Sequence, residues 1–194
     1  MKQIEILAPA KVNLFLKILN RRKDGFHDIE TVFEKVSLFD RIIFRENPCR
    51  EIVFSSNLKS LNSINNSICK AALLIKDRFK VKQGVSIYLD KNIPIAAGLG
   101  GGSSDAAYTI QALNRFWKLG LSDKELLDLA KTIGSDVALF MLKGSFILGK
   151  GRGDKVYPIK GTNSLKLWHI LIAPNIKIST PYAYSVFEDR KSVV

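Results

Sequence analysis

Pro94-Ile95-Ala96-Ala97-Gly98-Leu99-Gly100-Gly101-Gly102-Ser103-Ser104-Asp105 decides the reading of this 194-residue chain. Four glycines in five positions and then two serines run straight into a helical pattern, in which Ala106, Ile110, Leu113 and Trp117 form one stripe. Gly120 is placed to stop that helix. Glycines let the backbone turn inward so that consecutive N–H groups converge, with no Cβ to hold a ligand away. The helix that follows adds unpaired N–H donors and the positive end of its dipole. Together they predict an anion site, most often a phosphate site. The alternative is a flexible turn before a helix, which rarely needs so many glycines between apolar segments.

The common lysine-bearing phosphate loop closes with Gly-Lys-Ser/Thr, and no lysine lies between Lys91 and Lys118. A dinucleotide fingerprint wants a third glycine where Ser103 stands and an acid at the end of a second strand. The stretch after Gly120 reads as another helix instead. The protein-kinase His-Arg-Asp and Asp-Phe-Gly signatures are missing too. What remains is a glycine–serine loop that binds phosphate through main-chain amides and hydroxyls. A catalytic cation has to come from elsewhere in the chain.

At 46% hydrophobic residues the chain can bury a real core. Cys49 and Cys69 form neither a disulfide framework nor a metal motif and read as plain thiols of a reducing compartment. Glu5, Pro9 and Lys11 interrupt any signal-peptide core, and no apolar run reaches membrane-spanning length, so a cytoplasmic protein with no membrane partner is expected. Thirty basic against eighteen acidic residues leave a net charge of +12. Between Lys143 and Lys177 there are seven basic residues and one acid, Asp154, a net +6. These cations are scattered through strand-like runs without the arginine/aromatic interleaving of a nucleic-acid face. They suit anionic substrates or solvated surface, and no nucleic-acid partner is expected.

Residues 2–7 and 12–19 read as strands, followed by a charged turn over Asn20–Gly25. Further strands are predicted at Ile29–Leu38, Arg41–Arg45, more weakly Glu51–Phe54, and Val85–Leu89. A helix fits Ser67–Phe79 after a polar loop. Ser122-Asp123-Lys124-Glu125 is a capping box ahead of a stripe of Leu126, Leu129, Ala130 and Ile133. Gly134-Ser135-Asp136 breaks that pattern before the short apolar run Val137–Leu142. Ser145–Leu148, Lys155–Ile159 and Leu167–Ala173 read as strands, and Thr180-Pro181 as the start of a last helix. Strands come first and helices cluster later, which predicts an α+β fold rather than a regular βαβ repeat.

Several residues outside the loop are candidates for chemistry. Lys11 either points to solvent, which its position alone favours, or reaches a polar cleft, and Asn13 shares its face of the strand so that the two could serve one site. Asp136 is either a first-turn acid of a short helix or a carboxylate that takes a proton from a substrate hydroxyl. Asp24-Gly25-Phe26-His27 is turn-like and offers two rings to a planar group. His169 reads as a strand residue, and Arg152-Gly153-Asp154 as a hairpin turn.

Pro94-x-x-x-Gly98-Leu99-Gly100-Gly101-Gly102-Ser103-Ser104 resembles the ATP motif of the GHMP kinases, the family of galactokinase and of homoserine, mevalonate and phosphomevalonate kinases. Pro9-Ala10-Lys11-Val12-Asn13-Leu14-Phe15-Leu16, Asp24-Gly25-Phe26-His27-Asp28-Ile29-Glu30-Thr31 and Ile133-Gly134-Ser135-Asp136-Val137 are similar to one branch of it. That branch acts on 4-diphosphocytidyl-2-C-methyl-D-erythritol in the non-mevalonate isoprenoid pathway. The motifs follow in the family's order from Ala8 to about Tyr184, and four ordered motifs are far more specific than one.

The resemblance implies a GHMP-kinase N-terminal domain over residues 1–160 and, over 161–194, the start of a C-terminal domain of which most is absent. It implies Mg2+-ATP bound over Pro94–Ser104, with Asn66 near the adenine. Asp136 would take the proton of the substrate's 2-hydroxyl, and Lys11 would stabilise charge on the attacking oxygen and the phosphate. His27 would read the cytosine edge, Phe26 and Tyr184 would stack on its ring, and Asn13 would contact substrate near Lys11. Two positions depart from the pattern: Ala138 stands where proline is usual, and Phe26 where tyrosine is common.

Overall fold

The computed structural model describes residues 2–162 and 164–173. A six-stranded mixed sheet is organised around one long strand, β2 (His27–Asn47). β1 (Gln3–Arg21) runs antiparallel along one whole edge of β2, from Gln3 opposite Arg45 to Arg21 opposite His27. The other edge is shared end to end by two strands. β5 (Phe146–Gly151) pairs with residues 29–34, and β4 (Gly84–Asp90) with residues 41–47. β3 (Ile52–Ser56) lies parallel to β4, and β6 (Lys155–Pro158) closes the far side against β5.

Residues 35–40 of β2 therefore have no strand on the β4/β5 edge. This gap receives loops: the Lys35 N–H donates to the Ser145 carbonyl, and the Asp40 carboxylate accepts the N–H groups of Asn92 and Ile93. Helices α1 (Ser67–Arg78), α2 (Gly101–Phe116), α3 (Asp123–Ile133) and α4 (Ser135–Met141) pack with the sheet around one core. α2 carries much of it, burying Ala106, Ala107, Ile110, Ala112, Leu113 and Phe116 against Phe44, Ile87 and Leu89. Ser122 and Glu125 form the predicted capping box on α3, and both cysteines are free.

The α+β reading holds; three of the predicted strand boundaries do not. Segments 2–7 and 12–19 are one strand: among the described residues β1 pairs only with β2, an edge position that tolerates Pro9, and a register shift between Pro9 and Ala10 absorbs the irregularity. Ile29–Leu38 and Arg41–Arg45 also fuse, because the buried Asp40 between them is paired rather than solvated. Leu167–Ala173 joins no sheet, and Trp168 and Ile170 are almost fully exposed. His169 is thus no strand residue; its Nε2 lies 2.7 Å from the buried carboxylate of Glu34. The predicted helix from Thr180 lies outside the described residues.

Candidate active site

The glycine loop sits at the gap in the β4/β5 edge. Residues 94–100 turn under three positive φ angles, Ala96 (+58°), Gly98 (+73°) and Gly100 (+69°), and the remaining loop residues form the first turn of α2. Gly100 needs its missing side chain twice over. Its φ is left-handed, and an added Cβ would stand 3.0 Å from the Phe140 ring and 3.1 Å from Cγ of Lys11. A Cβ on Gly101 would meet Nζ of Lys91 at 2.8 Å. The unpaired N–H groups at the start of α2 face a cavity of about 440 Å3 lined by residues 94–103 together with Leu61, Asn66, Ser67, Lys91 and Asp105. Ser104 does not line it: the side chain is fully buried behind the loop, and its hydroxyl has no partner among the described residues. Asn66 borders the cavity as the N-cap of α1, accepting the Ile68 N–H at 2.9 Å. Ser67 ties α1 to the loop by donating to the Gly102 carbonyl at 2.7 Å.

Lys11 does not point to solvent, contrary to its position in the sequence. It is buried with its backbone N–H on the Leu99 carbonyl (2.9 Å), and its Nζ donates to the Gly98 carbonyl (2.6 Å) and to Oδ1 of Asn13 (2.8 Å). Asn13 is fixed in turn by donating to the buried hydroxyl of Thr31, which itself donates to the Phe15 carbonyl. The predicted pairing of Lys11 with Asn13 holds, and β1 supplies the loop with the cation it lacks. Burial pulls the Lys11 ammonium below its ordinary pKa, and the Asp136 carboxylate opposes that by favouring the charged form. Asp136 is the first-turn acid of α4 and stands exposed. Ala138, where proline is usual, sits buried inside that helix. At the other end of α4, Lys35 donates to the Leu142 carbonyl at 2.5 Å. Burial pulls its amine down to about 8.

Phe26 and His27 are not in the cavity. They lie at the turn joining β1 to β2, eight residues along β2 from Lys35, the partner of Lys11. Phe26 is exposed, with the Arg152 guanidinium 4.9 Å over its ring. Tyr184 lies outside the described residues. Among the described residues no group of three or more His, Cys, Asp or Glu side chains is placed to hold a metal ion.

One constellation went unread in the sequence. Lys91, at the end of β4, places Nζ 2.5 Å from Oδ2 of Asp40 and 2.7 Å from Oδ2 of Asp105, and all three side chains are buried. It joins β4, β2 and α2 directly beneath Gly101. Burial, with Asp40 close by, pushes the Asp105 carboxyl up to about 7, against the opposing pull of Lys91. Asp105 ends the glycine stretch and Lys91 precedes it, but Asp40 is 51 residues from Lys91, so nothing local links them.

Residues 66–144 match the family described as the GHMP kinases N terminal domain. Along all 194 residues the chain is 40% identical to a 4-diphosphocytidyl-2-C-methyl-D-erythritol kinase of Alkaliphilus oremlandii and covers 66% of that relative. It is 43% identical over 183 residues to the like-named protein of Listeria innocua, covering 94% of this chain and 62% of the relative. The chain thus spans just under two thirds of the length of these relatives. A crystal structure of 4-(cytidine 5'-diphospho)-2C-methyl-D-erythritol kinase superposes with a TM-score of 0.71 at 38% identity, over 80% of this chain and 55% of that one. The mevalonate kinase of Methanococcus jannaschii, with a TM-score of 0.63 at 23% identity over 82% of this chain and 56% of its own, shares the fold.

Proposed function

From a chain that carries the N-terminal domain of the GHMP kinases, we propose an ATP-dependent kinase of 4-diphosphocytidyl-2-C-methyl-D-erythritol, giving the 2-phosphate and ADP in the isoprenoid pathway. The observation that carries this reading is the bond from Nζ of Lys11 to the Gly98 carbonyl, which fastens the only cation of the β1 motif to the phosphate loop on the side of Asp136.

ATP lies with its phosphates over Pro94–Ser103, received by the N–H groups at the start of α2, and with its adenine toward Asn66. Asp136 accepts the proton of the acceptor's 2-hydroxyl as its oxygen attacks the γ-phosphorus and the bond to the β-γ bridging oxygen breaks. The Lys11 ammonium stabilises the charge that spreads over the attacking oxygen and the transferred group. Phosphoryl transfer depends mainly on positioning and electrostatics, so this small set suffices. A closed all-protein cage is not what Mg2+ on a nucleotide needs: it keeps waters and takes few protein ligands besides phosphate oxygens, and the Ser103 hydroxyl is the side-chain oxygen the loop offers. An ion held so would neutralise phosphate charge.

His27 reads the cytosine edge, Phe26 and Tyr184 stack on its ring, and Asn13 orients the alcohol beside Lys11. No helix among the described residues is long and apolar enough to cross a membrane. ADP release from this 194-residue chain tests the proposal, with diphosphocytidyl methylerythritol, mevalonate and homoserine compared as acceptors. Turnover with the cytidylyl acceptor alone supports it. Turnover with another acceptor refutes the assignment. ATP binding without any turnover leaves a nucleotide-binding segment that needs the remaining length of its relatives.

A further inference from the structure

The turn between β5 and β6 has no part in the chemistry above, yet it is built with care. Gly151 and Gly153 both take positive φ (+68° and +89°), and Gly153 is buried where an added Cβ would stand 3.4 Å from Cδ1 of Ile29 in β2. The Asp154 carboxylate accepts the Arg152 N–H at 2.9 Å, and the Gly153 N–H returns to the Lys150 carbonyl. Because Ile29 pairs with Gly151, this turn lies beside the turn that carries Phe26 and His27. Its product is one directed side chain: the Arg152 guanidinium over the face of Phe26, 4.9 Å from the ring centroid. Asp24 feels its charge, but both acids of the neighbouring turn, Asp24 and Asp28, are bonded to Arg22. Among the described residues the Arg152 guanidinium therefore makes no hydrogen bond or ion pair, and the ring is what it rests on.

We infer that Arg152 is a specificity residue of the acceptor site: it covers one face of Phe26, holds the ring as a platform, and leaves the opposite face for a pyrimidine base. The inference rests on the proposed reading of Phe26. A guanidinium above one face of an aromatic ring restrains it electrostatically and sterically without using the face below. An exposed phenylalanine at a turn otherwise samples several rotamers, and a base stacking on it has to select one of them.

The test is titration calorimetry on this chain with diphosphocytidyl methylerythritol and, separately, ATP. R152A should weaken the cytidylyl ligand about two- to fivefold, the range of an exposed cation–π contact, and leave ATP affinity unchanged. R152K should retain part of the affinity. In an F26A background, R152A should have no further effect, which a merely structural role for the turn would not produce. An unchanged cytidylyl affinity in R152A, or the same loss with and without Phe26, overturns the inference while leaving the proposed function intact. A chain that binds ATP but shows no affinity for the cytidylyl ligand sinks both.

Discussion

Asp105→Asn separates the buried charge cluster under the loop from the rest of the fold by its pH dependence. Asp105 is 2% exposed, and its carboxyl is raised from 3.8 to about 7 by burial, with Asp40 adding to the rise and Lys91 opposing it. A folded-state pKa above the unfolded value means the protonated form is favoured in the fold. The resulting stabilisation is complete below about pH 4 and is lost as pH climbs through 7. At about 1.4 kcal/mol per pH unit the whole window amounts to about 4 kcal/mol. Asparagine is nearly isosteric, its carbonyl oxygen can still accept from Lys91, and it cannot ionise. The variant therefore carries a fixed offset of about 1 kcal/mol from the altered hydrogen bond. Above this offset, its stability relative to the parent should rise by about 2–4 kcal/mol between pH 4.5 and pH 8. Urea unfolding followed by tryptophan fluorescence reads this, because Trp117 is buried while Trp168 is exposed throughout. A difference that stays flat across that range, or falls, refutes the assignment of the raised carboxyl to Asp105.

Asp136→Asn should lower turnover about a hundredfold or more and leave ATP and acceptor affinities close to parental, as steady-state kinetics beside binding titrations would show. Loss of binding together with turnover would mean that Asp136 only starts α4. Gly100→Ala introduces a left-handed alanine against the Phe140 ring and Lys11, at a cost of about 1–2 kcal/mol before any clash is relieved; a melting temperature about 3–6 °C lower and weaker ATP binding are expected, and an unchanged ATP affinity would count against the loop's role. His27→Ala should raise the acceptor KM about tenfold with little effect on that for ATP, and equal effects on both would exclude the cytosine contact.

The glycine loop, α2 and α3 were legible because their signals are local. Glycines adjoin a helical stripe, and Ser122 and Glu125 lie three residues apart on one cap. What was hidden depends on partners far along the chain. Pro9 looks like a strand break until one sees that, among the described residues, β1 has a neighbour on only one side. Asp40 looks like another until it meets Lys91 and the N–H groups of Asn92 and Ile93, more than fifty residues away. Lys11 followed the rule that strand lysines face water, which burial beneath the loop overrides. Leu167–Ala173 has the alternation and apolar content of a strand but no sheet edge to join among the described residues.

The two buried lysines at the loop explain how it dispenses with one of its own. Lys91 lies between two carboxylates, so its charge is cancelled where it stands, and the cluster can fix the position of α2 but has no charge left for a ligand. Lys11 is held by a carbonyl and an amide oxygen, and among the described residues no carboxylate lies within ion-pair distance of its ammonium. Neutral acceptors orient a cation without neutralising it, so the field of Lys11 stays directed at whatever anion the loop receives. Partial burial strengthens that field, and the drop in its own pKa is what this costs. A lysine with no such anchor would have to be ordered when the phosphate arrived. One anchored in β1 is already oriented, which reduces the reorganisation needed as charge develops on the transferred group.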